Sequence, residues 1–143
     1  MPIPRQMRHR HRLLALAAVG LLACTATGLA DTESKVQSSI VPAGEQRELA
    51  FFASLNPDCS AIGEMTLRLA RPAEHGSVEI ERGLGYTKYG RKDQRYACNR
   101  APVEGYRVNY ISQPDYLGED SFEIQLFSPA GNYVLWKYDI TVK

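Results

Sequence analysis

Residues able to do acid–base or nucleophilic chemistry are scarce in this sequence of 143 residues. It contains three histidines, and His9 and His11 lie in a basic N-terminal stretch, which leaves His75 as the only one in the rest of the chain. His75 lies between Glu74 and Gly76, a turn-forming context that favours a packing or capping histidine over a catalytic base. The sequence has no G-x-S-x-G motif for a serine nucleophile and no zinc-type cluster of histidines and cysteines. We therefore expect no enzyme activity, no metal and no cofactor.

Carboxylates in a turn-rich segment form the one candidate site for a cation. Asp115, Glu119 and Asp120 supply the hard oxygen ligands that calcium takes. A second interpretation is that Asp120 caps the backbone of the turn through local hydrogen bonds, as aspartate does in many turns. The pattern favours the cap and leaves calcium as the weaker alternative.

The N-terminus has the features of an export signal. Arginines at positions 5, 8, 10 and 12 are followed by an apolar run over residues 13–23 and by small residues at 28–30, a suitable cleavage site. The run is shorter than the roughly 20 residues of a membrane-spanning helix. We expect residues 1–30 to be a signal peptide and residues 31–39 a flexible linker, and we expect the protein to be periplasmic or extracellular.

The same region allows a second interpretation that involves Cys24. The segment Leu21-Leu22-Ala23-Cys24 resembles the lipobox of bacterial lipoproteins, in which the cysteine is lipidated and becomes the new N-terminus. The resemblance implies cleavage after residue 23 and an outer-membrane lipoprotein that contacts the membrane only through its lipid. Both alternatives stay open, and under both Cys24 takes no part in folding.

The two remaining cysteines, Cys59 and Cys98, are expected to form a disulfide. Their spacing fits no zinc or redox motif. A pair of cysteines in an exported chain is more often bridged than free. A bridge would place their α-carbons about 4.4 to 6.8 Å apart.

The segment 83–100, called the basic loop below, is the one surface that the sequence singles out. It has five basic residues and one acid, Asp93, so its net charge is +4, whereas residues 31–143 as a whole have 13 basic and 16 acidic residues, a net charge of −3. That balance gives no indication of nucleic acid as a partner. Tyrosine and arginine often carry binding energy, and the segment suits an anionic glycan, a lipid headgroup or an envelope protein. The alternative is a solvated hairpin. The candidate binding residues are Tyr86, Lys88, Tyr89, Arg91, Lys92, Arg95, Tyr96 and Arg100.

The candidate residues lie on or between segments whose patterns predict β-strands. Apolar and polar residues alternate in several runs, including 106–110, 122–126 and 133–143, and turn residues recur about every ten positions. No helical period is present outside the N-terminal segment. We predict an all-β domain over residues 40–143, a single antiparallel β-sandwich of roughly six to eight strands. Its core is expected to contain Leu67, Tyr110, Phe122 and Trp136.

Two segments resemble a known family. Residues 116–122 read Tyr-Leu-Gly-Glu-Asp-Ser-Phe and resemble the Y-x-G-x-D-S-F signature of bacterial cadherin-like and immunoglobulin-like repeats. Residues 72–78 resemble the P-x-x-H-G-x-V segment of the same repeats. The chain is also similar to small exported alphaproteobacterial proteins with one such domain and a cysteine pair. The resemblance implies an immunoglobulin-like sandwich, a fold that hosts many functions.

These observations predict a non-catalytic binding or structural module of the bacterial cell envelope, acting as a monomer. An alternative is an inhibitor of an envelope-attacking hydrolase of the lysozyme type. Residues 95–99 and 106–110 are similar to the Y-x-C strand pair of small lysozyme-inhibitor lipoproteins. An enzyme is the third alternative.

Overall fold

The computed structural model describes residues 33–143, in which seven β-strands and one short 3-10 helix occur without any α-helix. The predicted signal peptide and the lipidation of Cys24 lie outside the described residues. Within residues 33–143, no helix has the length and apolar character needed to cross a membrane. The strands are β1 (Glu33–Val41), β2 (Gln46–Phe52), β3 (Thr66–Arg71), β4 (Gly76–Gly85), β5 (Val103–Ser112), β6 (Gly118–Phe127) and β7 (Tyr133–Val142), and the 3-10 helix spans Tyr96–Arg100.

The strands form two packed sheets, which confirms the predicted all-β sandwich. One sheet has four strands in the order β1-β7-β6-β3, and the other has three in the order β2-β5-β4. All neighbours are antiparallel except β1 and β7, which run parallel. The prediction of a wholly antiparallel sandwich is therefore wrong for this pair.

The first strand contradicts the predicted flexible linker for its residues 33–39, which form part of β1. β1 pairs with β7 along its whole length, from Glu33 opposite Val134 to Val41 opposite Val142. Only Val41 of this strand is fully buried, and most of the other side chains are exposed. The strand is held by backbone hydrogen bonds to β7, so its polar side chains give no apolar alternation in the sequence.

The core lies between the sheets and is dominated by aromatic rings. Tyr110, Phe122 and Tyr138 are completely buried, and the Phe122 ring stacks on Tyr138 with centroids 4.6 Å apart. The prediction is confirmed for Tyr110 and Phe122. Leu67 and Trp136 are only partly buried and pack against the margin of this core.

β4 and β5 form an antiparallel hairpin, from Gly76 opposite Ser112 to Gly85 opposite Val103, and residues 86–102 are its long loop, as predicted. β4 continues to Gly85, and after a loop the residues Tyr96–Arg100 form the 3-10 helix. The Cys59–Cys98 disulfide is present, with α-carbons 5.4 Å apart, as predicted. It joins the middle of the 3-10 helix to the connection between β2 and β3, and Cys98 is almost completely buried.

Candidate functional site

The basic loop presents one group of its candidate residues to solvent. Tyr86 is 58% exposed and Tyr96 40% exposed. The exposed cations of the loop make no ion pair within residues 33–143, and they are Lys88, Arg91, Lys92 and Arg100. These side chains are available to an anionic ligand.

Arg95 and Tyr89, two of the candidate binding residues, make contacts within the loop. The Arg95 guanidinium donates hydrogen bonds to both carboxylate oxygens of Asp93, each at 2.9 Å, and its centre lies 4.5 Å from the centre of the Tyr89 ring. Tyr89 is partly buried, and its hydroxyl donates to the Ala53 carbonyl at 3.4 Å. The side-chain hydrogen bonds from Arg95 lower the pKa of Asp93 below its ordinary value, and burial raises the pKa of Tyr89. These three side chains hold the loop together.

Asn99 binds the residues on both sides of Lys88, Thr87 through its side chain and Tyr89 through its backbone. Its Oδ1 accepts hydrogen bonds from the Thr87 hydroxyl and from the Tyr89 N–H, both at 2.9 Å, and its Nδ2 donates to the Tyr89 carbonyl at 2.9 Å. Asn99 follows Cys98, so the disulfide anchors the residue that supplies these bonds. The Lys88 side chain therefore extends from a segment that is held on both sides.

Lys88 and Tyr86 also line a groove of ≈ 400 Å³ beside the sandwich margin. We call it the edge groove. Its walls come from β1, β2, β7 and the basic loop, and its lining residues are Gln37, Leu49, Ala50, Phe51, Phe52, Tyr86, Lys88 and Trp136. The volume falls within the range of small-molecule sites.

Aromatic rings form much of the groove. The Trp136 ring packs edge-on against Phe52, with centroids 5.3 Å apart, and the Lys35 ammonium lies 5.4 Å from the Trp136 ring centre. Lys35 also pairs with Glu33 at 3.0 Å in an exposed position. Since exposed pairs contribute little, Lys35 can exchange this partner for a ligand. The groove thus combines ring faces with ammonium groups.

Two glycines explain how the Phe51 ring is seated at this site. A Cβ at either Gly85 or Gly105 would collide with the Phe51 ring. The two glycines occupy neighbouring strands, β4 and β5, and leave the space that the ring takes. Any side chain there would displace Phe51 from the groove wall.

Asp120, the predicted cap of the turn, accepts hydrogen bonds on both of its carboxylate oxygens. Asp120 is 8% exposed, and its carboxylate accepts hydrogen bonds from the N–H groups of Glu74, His75 and Ser121 and from the Tyr110 hydroxyl. The cap is therefore present, but three of its four donors are distant in sequence, contrary to the expected local cap.

The structure gives the calcium alternative no support within the described residues. Asp115 and Glu119 are exposed, whereas Asp120 is buried and fully hydrogen-bonded. Among residues 33–143, no three histidine, cysteine, aspartate or glutamate side chains are grouped so as to hold a metal ion. His75, the expected packing histidine, stacks on the Tyr116 ring with centroids 3.7 Å apart.

No protein-family model and no curated protein sequence matches this chain. A solved structure that is similar, the solution structure of Amebosin, shares 12% sequence identity at a TM-score of 0.44. The similarity covers 80% of this chain and 100% of that one. A TM-score of that size supports no inference about fold or function.

Two of the eight residues that line the edge groove, Tyr86 and Lys88, are among the binding residues predicted from the sequence. The alternation of β7 placed Trp136 in the core and not beside a groove, and Lys35 fell in the supposed linker. Asn99 gave no signal of its own, because its partners lie 10 and 12 residues away. The Asp93-x-Arg95 spacing was the one local sign that Arg95 is bound within the loop.

Proposed function

We propose that this protein is a non-catalytic binding module of the bacterial cell envelope that holds an anionic ligand at the edge groove and the adjoining basic loop. The observation that carries the proposal is the meeting of an exposed, unpaired cation, Lys88, with the Trp136 and Phe52 rings around one cavity. Ring and cation together are the residue types that concentrate binding energy at interfaces.

The charge distribution supports an anionic partner. Asp93, the only acid of the basic loop, is bound to Arg95, so it does not offset Lys88, Arg91 or Lys92. The remainder of the domain carries an excess of acids. Such an uneven distribution of charge orients an incoming anion toward the loop and raises the association rate at low salt.

The immunoglobulin-like type of the sandwich is part of the proposal. The three-strand sheet β2-β5-β4 and the grouping of β3, β6 and β7 in the other sheet follow the strand partition of immunoglobulin domains. Export to the periplasm or cell surface, with or without lipidation of Cys24, is proposed from the sequence. A disulfide in the domain supports an oxidising compartment.

The lysozyme-inhibitor alternative loses its main support. It required residues 95–99 to form one strand of a pair, but Tyr96–Arg100 form a 3-10 helix. The similarity of those residues to a Y-x-C strand pair therefore does not extend to their conformation.

A retention assay on isolated cell-envelope material tests the proposal. The test variant is Lys88→Gln/Arg91→Gln/Lys92→Gln, which spares Arg95 because that residue supports the loop. The control variant is Arg68→Gln/Lys137→Gln/Lys143→Gln, which removes the same residue types and the same charge from other surfaces.

At low ionic strength, where surface charges are little screened, we expect the test variant to lose retention and the control variant to keep it. Added salt should lower the retention of the wild-type protein in the same way as the three loop substitutions do. Both variants should unfold at nearly the wild-type temperature, because exposed charges contribute little to folding. Equal retention of the two variants would refute a binding role for the basic loop.

A further inference from the structure

The edge groove has features that narrow the chemistry of its ligand. Tyr86 presents a mostly exposed ring at the rim, and Phe52 and Trp136 present partly buried rings deeper in the wall. Flat ring faces of this kind stack on molecules that have an apolar face and a polar edge. The C–H face of a sugar ring is such a surface.

The cations of the basic loop indicate more than one negative charge on the ligand. Lys88 lies in the groove, and Lys92 lines a separate cavity that also includes Leu55, Ile62 and Arg95. Arg91 and Arg100 are exposed on the same loop. A small monoanion would engage one of these groups, whereas a polymer with repeated anionic groups would engage several.

The groove suits an acyl chain poorly. Gln37 and Lys88 interrupt the rings, so the lining is not the continuous apolar surface that a hydrocarbon chain requires. A lipid headgroup alone would leave the rings without a partner.

A peptide strand is also disfavoured at this position. β2 is an edge strand, and an added strand would need its backbone groups. The Leu49 carbonyl, at the irregular point of β2, already accepts a 2.9 Å hydrogen bond from the Gln37 side chain. This bond joins β1 to β2 and occupies an acceptor that strand addition would use.

We propose, resting on the binding function proposed above, that the ligand of the edge groove is an acidic polysaccharide. One sugar ring stacks on the aromatic wall formed by Trp136, Phe52 and Tyr86, and its carboxylate pairs with Lys88. Neighbouring anionic sugars of the same chain extend toward Arg91 and Lys92. The Asn99 hydrogen bonds hold Lys88 in place before binding.

Trp136 provides a direct probe of the groove because it is the only tryptophan of the chain. The experiment is a titration of the protein with polygalacturonate, a uronic-acid polymer, while the tryptophan emission is recorded. Dextran serves as the neutral polysaccharide, and vesicles of an anionic phospholipid serve as the lipid surface.

We expect a saturable change of tryptophan emission with polygalacturonate and none with dextran or with the vesicles. Lys88→Gln should weaken the polygalacturonate affinity about tenfold, the usual size of one lost charge-assisted contact. Arg68→Gln, which removes a cation from β3 at the opposite edge of the four-stranded sheet, should leave the affinity unchanged.

Three results would overturn the inference: an equal response to dextran, a response to vesicles but not to polygalacturonate, or an unchanged affinity in Lys88→Gln. If polygalacturonate does not change the tryptophan emission but the envelope retention still depends on the loop cations, the proposed ligand class is wrong and the binding function stands. If both experiments fail, the binding function fails as well.

Discussion

The Tyr110 hydroxyl donates a 2.8 Å hydrogen bond to Oδ2 of Asp120, and this buried bond joins the two sheets of the sandwich. Tyr110 belongs to β5 and Asp120 to β6, which lie in different sheets. The same carboxylate binds the backbone N–H groups of Glu74 and His75, which precede β4. One side chain thus holds three segments of the fold in register.

Tyr110→Phe should therefore lower the free energy of unfolding by about 1.5 to 3 kcal/mol, the cost of removing a hydrogen bond to a charged group. The ring still fills its place in the core, so the loss reports the hydroxyl alone. Urea unfolding of the variant measures it. A loss smaller than about 0.5 kcal/mol would show that the bond contributes nothing net.

Asp120 should also make the stability depend on pH. Burial by itself raises the pKa of this carboxyl, but hydrogen bonds from the Glu74 N–H, the Tyr110 hydroxyl and the N–H groups of His75 and Ser121 outweigh it. The pKa in the folded protein is therefore lower than the ordinary value of about 3.9 that the unfolded chain has.

Because the folded state releases this proton more readily, the stabilisation by Asp120 is complete above the unfolded pKa and is lost as the pH falls through the lowered folded value. Unfolding of the wild type and of Asp120→Asn, compared from about pH 6 to pH 2, tests this. The stability advantage of the wild type should shrink toward acid. A difference that stays constant over that range would contradict the assignment.

Tyr138 is the opposite case to Tyr110. It is completely buried and its ring stacks on Phe122, yet its hydroxyl has no hydrogen-bond partner among the described side chains and backbone groups. An unsatisfied buried hydroxyl costs free energy, so Tyr138→Phe should leave the melting temperature unchanged or raise it. A clear fall in the melting temperature would mean that the hydroxyl is bound in solution.

The strand patterns and the cysteine pair allowed much of the fold to be predicted. Alternation identified the runs that became β5, β6 and β7, because inward residues such as Phe122 and Ile124 recur at every second position. It failed for β1, where pairing with β7 uses the backbone and leaves polar side chains outside. Parallel pairing of two segments about 100 residues apart leaves no local pattern.

The candidate site was less predictable for a related reason. Composition identified the basic loop, but it could not separate Lys88, which is exposed, from Arg95, which is held by Asp93. Nor could it show that Trp136 and Tyr86 line one groove, since that depends on how the two sheets and the loop meet. Charge and ring content are properties of the sequence, whereas the pairing of each charge is a property of the fold.

Asn99→Ala tests whether this residue positions Lys88. Loss of the amide removes three hydrogen bonds to Thr87 and Tyr89, so the Tyr89 amide should exchange with solvent faster. Amides in the central strand β5 should keep their protection. Hydrogen exchange read residue by residue gives both values in one experiment, and an unchanged rate at Tyr89 would show that the loop is ordered by other contacts.

The location of the binding surface is tested most directly by lysine footprinting. The protein is acetylated with and without cell-envelope material, and mass spectrometry gives the modification rate at each lysine. We expect slower acetylation of Lys88 and Lys92 in the presence of the envelope and unchanged rates at Lys137 and Lys143, which do not line the edge groove. Retention of the protein with Lys88 and Lys92 still fully reactive would contradict the account, because the ligand would then be bound elsewhere on the molecule.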